Sequence, residues 1–308
     1  MTEQNLFEAR SISGCLRASY SYCTEHAKIL MRGMWLPILL LAIAATVSIY
    51  VSSPNKTLND WGMTHPVLAT VGYVLFELLG LVAGVWYMAR LITFFNGATL
   101  LHNSMRTAKA MGWLVGELIV LTVFFGLAIA LIGDNFVAGL AKGEGWGKVL
   151  VAWAVYLLLV VVLTIPFSYA GMKYIYHHDT KFRHFVGKDF CVGLRHFGFL
   201  FLVRFLTTLI YSLLSAIILM PFLLLYIGQI YNQLGMQEGD PNGMPGYFLP
   251  LYVVVSILTM CVLIMLSVWN TTTDLYAFGA IETRLQEKEQ LKAAQQEQVL
   301  EKQSQPRL

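Results

Sequence analysis

The sequence predicts an all-α integral membrane protein with six transmembrane helices. Three observations support this: only 13% of the 308 residues are charged, 57% are hydrophobic, and the apolar residues gather in six long runs. A soluble domain carries roughly 25% charged residues, and so few polar side chains could not cover so much apolar surface. A bilayer core of about 30 Å needs about 20 apolar residues in a helix, which is the length of these runs.

The six predicted spans are apolar on every side, which suits helices that are surrounded by lipid or by one another. Outer-membrane strands would instead alternate over about ten residues, and that pattern is missing from the sequence. Two spans contain an acidic residue, Glu77 in the second and Glu117 in the third. The predicted boundaries are 33–51, 66–89, 111–132, 149–172, 205–227 and 247–268.

The distribution of Lys and Arg predicts the orientation. Of the 21 such residues, 18 fall in the N-terminal segment, the loops after the second and fourth spans, and the C-terminal segment. Basic residues concentrate in cytoplasmic loops. We therefore expect a multi-pass protein of a plasma membrane, the bacterial inner membrane, with both termini in the cytoplasm.

The chain divides into an amphipathic cytoplasmic or interfacial segment (1–32), a transmembrane domain (33–278) and a polar cytoplasmic tail (279–308). A basic amphipathic stretch precedes each odd-numbered span, and such stretches can lie on a membrane surface. We interpret this pattern as three repeats of an interfacial helix plus a transmembrane hairpin. The alternative is an ordinary basic loop before each span. The Gln-, Glu- and Lys-rich tail favours a polar helix that frays at its end and could contact a protein partner.

The acidic residues within the spans are the main functional candidates. Glu77 lies 13 residues, or about 20 Å, from Arg90, near the middle of the membrane. A carboxylate there is costly and suggests a proton or ion path, although a protonated structural carboxyl is the commoner alternative. Glu117 lies only about 9 Å into its span, so we interpret it as a structural ion-pair partner of Arg90 or Arg204.

Two pairs of glycines have the spacing that lets helices approach closely. Gly80 and Gly84 form one GxxxG motif in the second span, and Gly112 and Gly116 form another in the third. The motif permits a homo-oligomer without requiring one.

Basic residues also cluster around the loop between the fourth and fifth spans, which we interpret as facing lipid headgroups. The loop also contains His177, His178 and His184, whose spacing does not match a zinc-hydrolase helix, so no metal site is predicted. No catalytic, cofactor or nucleotide motif is apparent, so we expect neither an enzyme nor a nucleic-acid binder. The basic residues are Lys173, Lys181, Arg183, Lys188 and Arg195.

Two stretches carry a family resemblance: Gly14 to Arg32 leading into Trp35-Leu36-Pro37, and Arg195 to Tyr226 with Met220-Pro221-Phe222. They cover about a fifth of the chain. The pattern resembles uncharacterised bacterial polytopic membrane families, including the membrane domain attached to some glycerophosphodiester phosphodiesterases. Because no phosphodiesterase catalytic domain is present, the resemblance implies no hydrolase activity.

The functional expectation is therefore a non-enzymatic scaffold or lipid-associated membrane component. Its expected partners are membrane lipids and a protein that contacts the tail. The alternative is a small transporter or channel that uses Glu77.

Overall fold

The computed structural model describes residues 6–52, 64–131, 146–237 and 244–304. Regular structure in these ranges is entirely helical and comprises nine α-helices and one π-helical turn. In chain order these are α1 (Ile12–Glu25), α2 (Ala27–Ser52), α3 (Pro66–Asn96), α4 (Leu100–Leu131), α5 (Trp146–Tyr176), α6 (Phe182–His184), the π turn (Phe185–Asp189), α7 (Phe190–Arg195), α8 (Phe197–Gln237) and α9 (Phe248–Ser304).

Six of the described helices are long and apolar enough to cross a membrane, namely α2, α3, α4, α5, α8 and α9. This confirms the predicted all-α polytopic membrane fold. Helices suit this environment because backbone polar groups in lipid must be bonded within their own segment. Several helices extend beyond the predicted spans. α3, for example, ends at Asn96, and the φ of 65° at the following Gly97 lets the Gly97 N–H reach the carbonyl of Thr93.

The stretches that precede the odd-numbered spans take two different forms. The first is the separate helix α1, and the third is made of α6, the π turn and α7. The second is not separate, because α4 runs unbroken from Leu100 to Leu131. No proline or glycine interrupts residues 100–111, so nothing in that stretch ends a helix.

The chain folds as two compact units. Unit 1 comprises Met1–Cys15, Met105–Arg204 and Asp274–Leu308, and unit 2 comprises Leu16–Ser104 and Phe205–Thr273.

In unit 2, α2 and α3 form an antiparallel hairpin. A Cβ added at Gly80 would lie 3.5 Å from the Cβ of Ala44, so Gly80 packs against α2. At the other end of the hairpin the ring of Phe94 occupies the space beside Gly33, where a Cβ would overlap it. The hairpin therefore depends on a small residue at each of these two levels.

In unit 1, aromatic rings and one glycine pack the segment after α5 back onto that helix. Phe185 is fully buried, and its ring centroid lies 5.4 Å from that of Phe167 and 5.6 Å from that of Tyr174. A Cβ at Gly193 would lie 2.6 Å from the carbonyl oxygen of Pro166, so only glycine fits there. The segment therefore runs antiparallel to the last turns of α5.

A second element of unit 1 is the N-terminal strap, which we define as Leu6–Arg10. Leu6 is buried, and a Cβ at Gly279 on α9 would overlap its carbonyl oxygen. The Arg284 guanidinium donates to the carbonyl oxygen of Arg10 at 2.5 Å. The strap is therefore held against α9 by a close backbone approach and by a charge-assisted hydrogen bond.

Replacing Gly279 with alanine should release the strap, since the new methyl group and the Leu6 carbonyl cannot occupy the same space. Alanine favours the helix itself, so α9 should persist. We expect faster tryptic cleavage after Arg10, measured by mass spectrometry of the purified protein. Gly198→Ala, at a position with open space, is the matched control. Equal cleavage rates in the two variants would contradict the assigned packing.

Candidate functional site: a buried charge cluster beneath a basic surface

Four side chains form a buried charge cluster in unit 1: Tyr169, Lys173, Asp189 and Glu282. The Lys173 Nζ lies 2.9 Å from a Glu282 carboxylate oxygen and 3.4 Å from an Asp189 oxygen, and the Tyr169 hydroxyl donates to Glu282. Tyr169, Asp189 and Glu282 are 1%, 6% and 9% exposed. The cluster therefore joins α5, the π turn and α9 through charged groups that are mostly shielded from solvent.

Local helical geometry explains how these residues meet. Tyr169 and Lys173 are one turn apart on α5, so both point to the same side. In the segment that follows, Phe185, Asp189 and Gly193 are four residues apart and are all buried. The Phe185 ring and Gly193 set the distance between this segment and α5. This packing brings the Asp189 carboxylate to the Lys173 ammonium group.

The cluster has two carboxylates for one ammonium group, and Asp189 Oδ2 is buried without a hydrogen-bond partner among the described residues. Removing charges from water is costly unless each is paired. Lys173 meets that need for both carboxylates at once. We interpret its ammonium group as the anchor of the cluster.

Arg106 organises the chain where α5 ends. Its guanidinium donates to the carbonyl oxygens of Tyr174, His177, His178 and Thr180 at 2.7–3.0 Å, and to the Thr180 hydroxyl at 2.8 Å. It also lies 4.0 Å from the centroid of the Tyr174 ring. The last carbonyls of a helix have no partner within the helix, and a cation is favourable beside them. Arg106 therefore caps α5 and fixes the following turn.

The outer side of the same region is a basic surface. We call residues 181–195 the basic segment. Its one acidic residue, Asp189, is turned inward to Lys173. Its cations Lys181, Arg183, Lys188 and Arg195 are all exposed. Of the five basic residues predicted to face headgroups, Lys173 is thus set apart, because it is part of the buried cluster.

His177 lies beside the cluster and beneath the strap. Its ring centroid is 6.0 Å from that of Phe7, 5.8 Å from that of Phe278 and 5.3 Å from that of Tyr176. Burial lowers the pKa of the imidazole. Nearby Glu282, Asp179 and Asp189 act in the opposite direction, and Lys173 acts with burial. The neutral ring is therefore the form that fits among the three aromatic side chains.

Acidification should loosen this packing. Because the pKa of His177 is lowered in the folded state, its contribution to stability is complete above the ordinary histidine pKa of about 6.5 and is lost as the pH falls below it. We expect His177→Gln to reduce the drop in melting temperature between about pH 7.5 and pH 5.5. His184→Gln, at an exposed histidine of the same unit, is the control. Parallel pH profiles for the His177 variant and the unmodified protein would refute the assignment.

The cysteines lie in different environments. Cys15 is buried, and burial raises the pKa of its thiol to about 11 although Arg10 and Arg284 lower it. Cys191, by contrast, is exposed on the basic segment between Lys188 and Arg195. Because a reagent must reach the sulfur, the exposed Cys191 is the natural site for a label.

The candidates within the spans lie in several places. Glu77 is exposed on unit 2, and its carboxylate accepts a hydrogen bond of 2.8 Å from Ser48. Arg204 forms an ion pair of 2.5 Å with Asp274, and Arg90 donates to the carbonyl of Gly33 at 3.4 Å. Glu117 forms no ion pair within the described residues, and its Oε2 is buried without a partner there. The predicted pairing of Glu117 with either arginine is therefore not observed.

The two glycine motifs have different surroundings. Gly80 packs against α2, whereas the space beside Gly112 and Gly116 is open in the described part of the chain. Gly84 lies on α3 between two buried residues, Ala83 and Tyr87. Across the described ranges, no three His, Cys, Asp or Glu side chains converge as metal ligands would.

No protein-family model, curated protein or solved structure matches this chain. The resemblance to bacterial polytopic membrane families stays a prediction that rests on its residues alone.

Proposed function

We propose that this chain is a non-enzymatic scaffold of a bacterial plasma membrane that associates with anionic lipids through the basic segment. One observation supports the proposal most directly. The segment exposes four cations and turns its single carboxylate inward, so its exposed charged side chains are all positive.

The energetics favour a lipid surface as the partner of this segment. Each Lys or Arg near an anionic membrane surface contributes about 1 kcal/mol to the attraction. The segment begins at Lys181, shortly after α5 ends at Tyr176, so these residues lie close to a membrane-crossing helix. The exposed side chain of Leu194 adds an apolar contact beside Arg195.

The proposed orientation places the basic segment and both termini in the cytoplasm, following the asymmetry of Lys and Arg. Residues 286–298 of α9 are all exposed and carry Glu, Gln and Lys side chains. This surface is available to a protein partner, which completes the proposed scaffold role.

Native mass spectrometry of the purified protein in lipid nanodiscs tests the proposal. Changing Lys181, Arg183, Lys188 and Arg195 together to Gln should abolish retention of phosphatidylglycerol. Lys288→Gln with Lys292→Gln, at exposed positions of the tail, should not. Unchanged retention in the fourfold variant would exclude the basic segment as the lipid site. Because attraction of this kind is screened by salt, retention should also fall as ionic strength rises.

Glu77 supports a second candidate, a small transporter or channel. Its carboxylate accepts a hydrogen bond from Ser48 on α2, so two polar side chains of unit 2 meet between membrane-crossing helices. Charged groups at this depth mark ion or proton paths in many membrane proteins. The test is a Glu77→Cys protein that lacks the other cysteines, treated in liposomes with an impermeant thiol reagent. Rapid labelling would favour a transporter, and labelling only of a Cys191 control protein would favour the scaffold.

A further inference from the structure

The start of α2 carries two cations and a tryptophan on one side of the helix. Lys28, Arg32 and Trp35 follow one another at intervals of four and three residues, which places their side chains on one face. All three side chains are exposed. Helix α2 is one of the six that are able to cross a membrane. The charged and aromatic face therefore lies where a membrane-crossing helix begins.

Packing fixes which side of α2 faces outward. Leu30 and Met34 lie on the opposite side of the helix and are 5% and 0% exposed. The ring of Phe94 fills the space beside Gly33, so α2 cannot rotate about its axis without opening this contact. The two cations and Trp35 are therefore held facing away from the protein.

The protein does not neutralise these cations. Lys28 and Arg32 form no ion pair with any of the residues that the structure describes. Glu25, the acidic residue closest to Lys28 in the sequence, accepts a hydrogen bond of 2.6 Å from the Ser21 hydroxyl. Both positive charges are therefore available to a partner outside the chain.

Cations of other membrane-crossing helices are used differently. Arg90 of α3 donates to a backbone carbonyl, Lys173 of α5 belongs to the buried charge cluster, and Arg204 of α8 pairs with an aspartate. Lys109 of α4 is exposed, but it lies one turn from Trp113, whose ring contacts Phe182 of the basic segment. That lysine adjoins the lipid contact already proposed. The cations of α2 are thus set apart from all of these.

The spacing along α2 matches the depth of a phospholipid headgroup. At 1.5 Å per residue, Arg32 lies about 6 Å beyond Lys28, and Trp35 lies about 4–5 Å further along the helix. The polar region of one leaflet is roughly 5–8 Å thick, because a bilayer of 40–45 Å has a hydrocarbon core of about 30 Å. Tryptophan is favoured at this interface. With Trp35 at its inner edge, both cations lie at the level of the lipid phosphates.

We propose that the face formed by Lys28, Arg32 and Trp35 binds the phosphodiester headgroup of an anionic glycerophospholipid. The planar guanidinium of Arg32 donates to two phosphate oxygens at once, and Lys28 adds a second positive charge. The indole ring of Trp35 lies against the glycerol part of the same lipid. This site belongs to unit 2, so it is separate from the basic segment of unit 1 and goes beyond the lipid contact proposed there.

Quenching of Trp35 fluorescence by brominated lipids tests the site. The full-length protein is reconstituted in phosphatidylcholine liposomes that contain a small fraction of brominated phosphatidylglycerol or, for comparison, brominated phosphatidylcholine. The signal of Trp35 is the difference between the unmodified protein and Trp35→Phe. We expect the relative affinity for phosphatidylglycerol to be at least about ten times higher, because two cations contribute to it. Equal quenching by the two brominated lipids would overturn the proposal.

Charge variants test the role of the two cations. Lys28→Gln combined with Arg32→Gln should abolish the preference, and either change alone should reduce it about fivefold. The matched control is Lys288→Gln with Lys292→Gln, an exposed pair with the same spacing on the polar end of α9. The control should keep the preference. A preference that survived in the Lys28 and Arg32 double variant would also overturn the proposal.

Two further measurements identify the ligand and separate the two lipid contacts. Millimolar inorganic phosphate at constant ionic strength should not change the quenching of Trp35. A loss of quenching would instead indicate a site for free phosphate and would contradict the proposal. The fourfold Gln variant of the basic segment should keep the full Trp35 preference, so a failure of that contact and a failure of this site give different results.

Discussion

Replacing Arg106 with glutamine should destabilise unit 1 by about 3 kcal/mol or more, because several charge-assisted hydrogen bonds are lost together. Five hydrogen bonds connect this guanidinium to the end of α5 and to the turn that follows. Glutamine cannot reach four carbonyls or supply a positive charge at the helix end. The measurement is thermal unfolding of the purified protein, combined with tryptic cleavage after Lys181.

The matched control is Lys109→Gln, which removes one cation from an exposed position of the same helix. It should leave the melting temperature and the cleavage rate close to those of the unmodified protein. Arg106→Lys should be more stable than Arg106→Gln but less stable than the unmodified protein, since a compact ammonium does not reproduce the planar array of donors. If Arg106→Gln matched the control, the capping role assigned to Arg106 would be wrong.

Among the single substitutions considered, removing the positive charge of Lys173 should reduce stability the most. In Lys173→Met, Asp189 and Glu282 would remain buried without their shared partner. Breaking a buried pair in this way costs roughly 3–5 kcal/mol. We expect a strongly lowered melting temperature and release of the basic segment from α5, visible as faster cleavage after Lys181 and Lys188.

A double variant separates the missing charge from the missing packing. Lys173→Met combined with Glu282→Gln removes one of the unpaired carboxylates, so it should be more stable than Lys173→Met alone. Residues in one network show this kind of non-additivity in double-mutant cycles. Lys188→Met, at an exposed lysine, is the control for the change of side chain. Strict additivity between positions 173 and 282 would contradict the contact.

The membrane fold could be predicted from the sequence because its signals are local. Span length and apolar composition are properties of about 20 consecutive residues, and all six spans are found as helices that are able to cross a membrane. The form of the stretch before the third span was harder to predict. Its amphipathic pattern resembles a surface helix, but the absence of any helix-ending residue joins it to α4.

The buried charge cluster could not be predicted in this way, because its members are distant in sequence. Glu282 and Tyr169 are 113 positions apart. By composition Glu282 belongs to the polar tail, and Lys173 is one more cation near a basic loop. The available signal was weak: Tyr169 and Lys173 are one turn apart at the end of a span. Arg106 was missed for another reason, since most of its partners are backbone carbonyls, which no residue type reveals.

Helix α9 runs for 57 residues without a break, and residues 286–298 at its far end contact nothing that would bury them. An isolated polar peptide of that length would form a helix poorly in water, because the first turn is unfavourable to start. Here the first turns form in the apolar part of α9, where the backbone must be hydrogen-bonded internally. The apolar part of α9 therefore nucleates the helix, and residues 286–298 continue it although no other element packs against them.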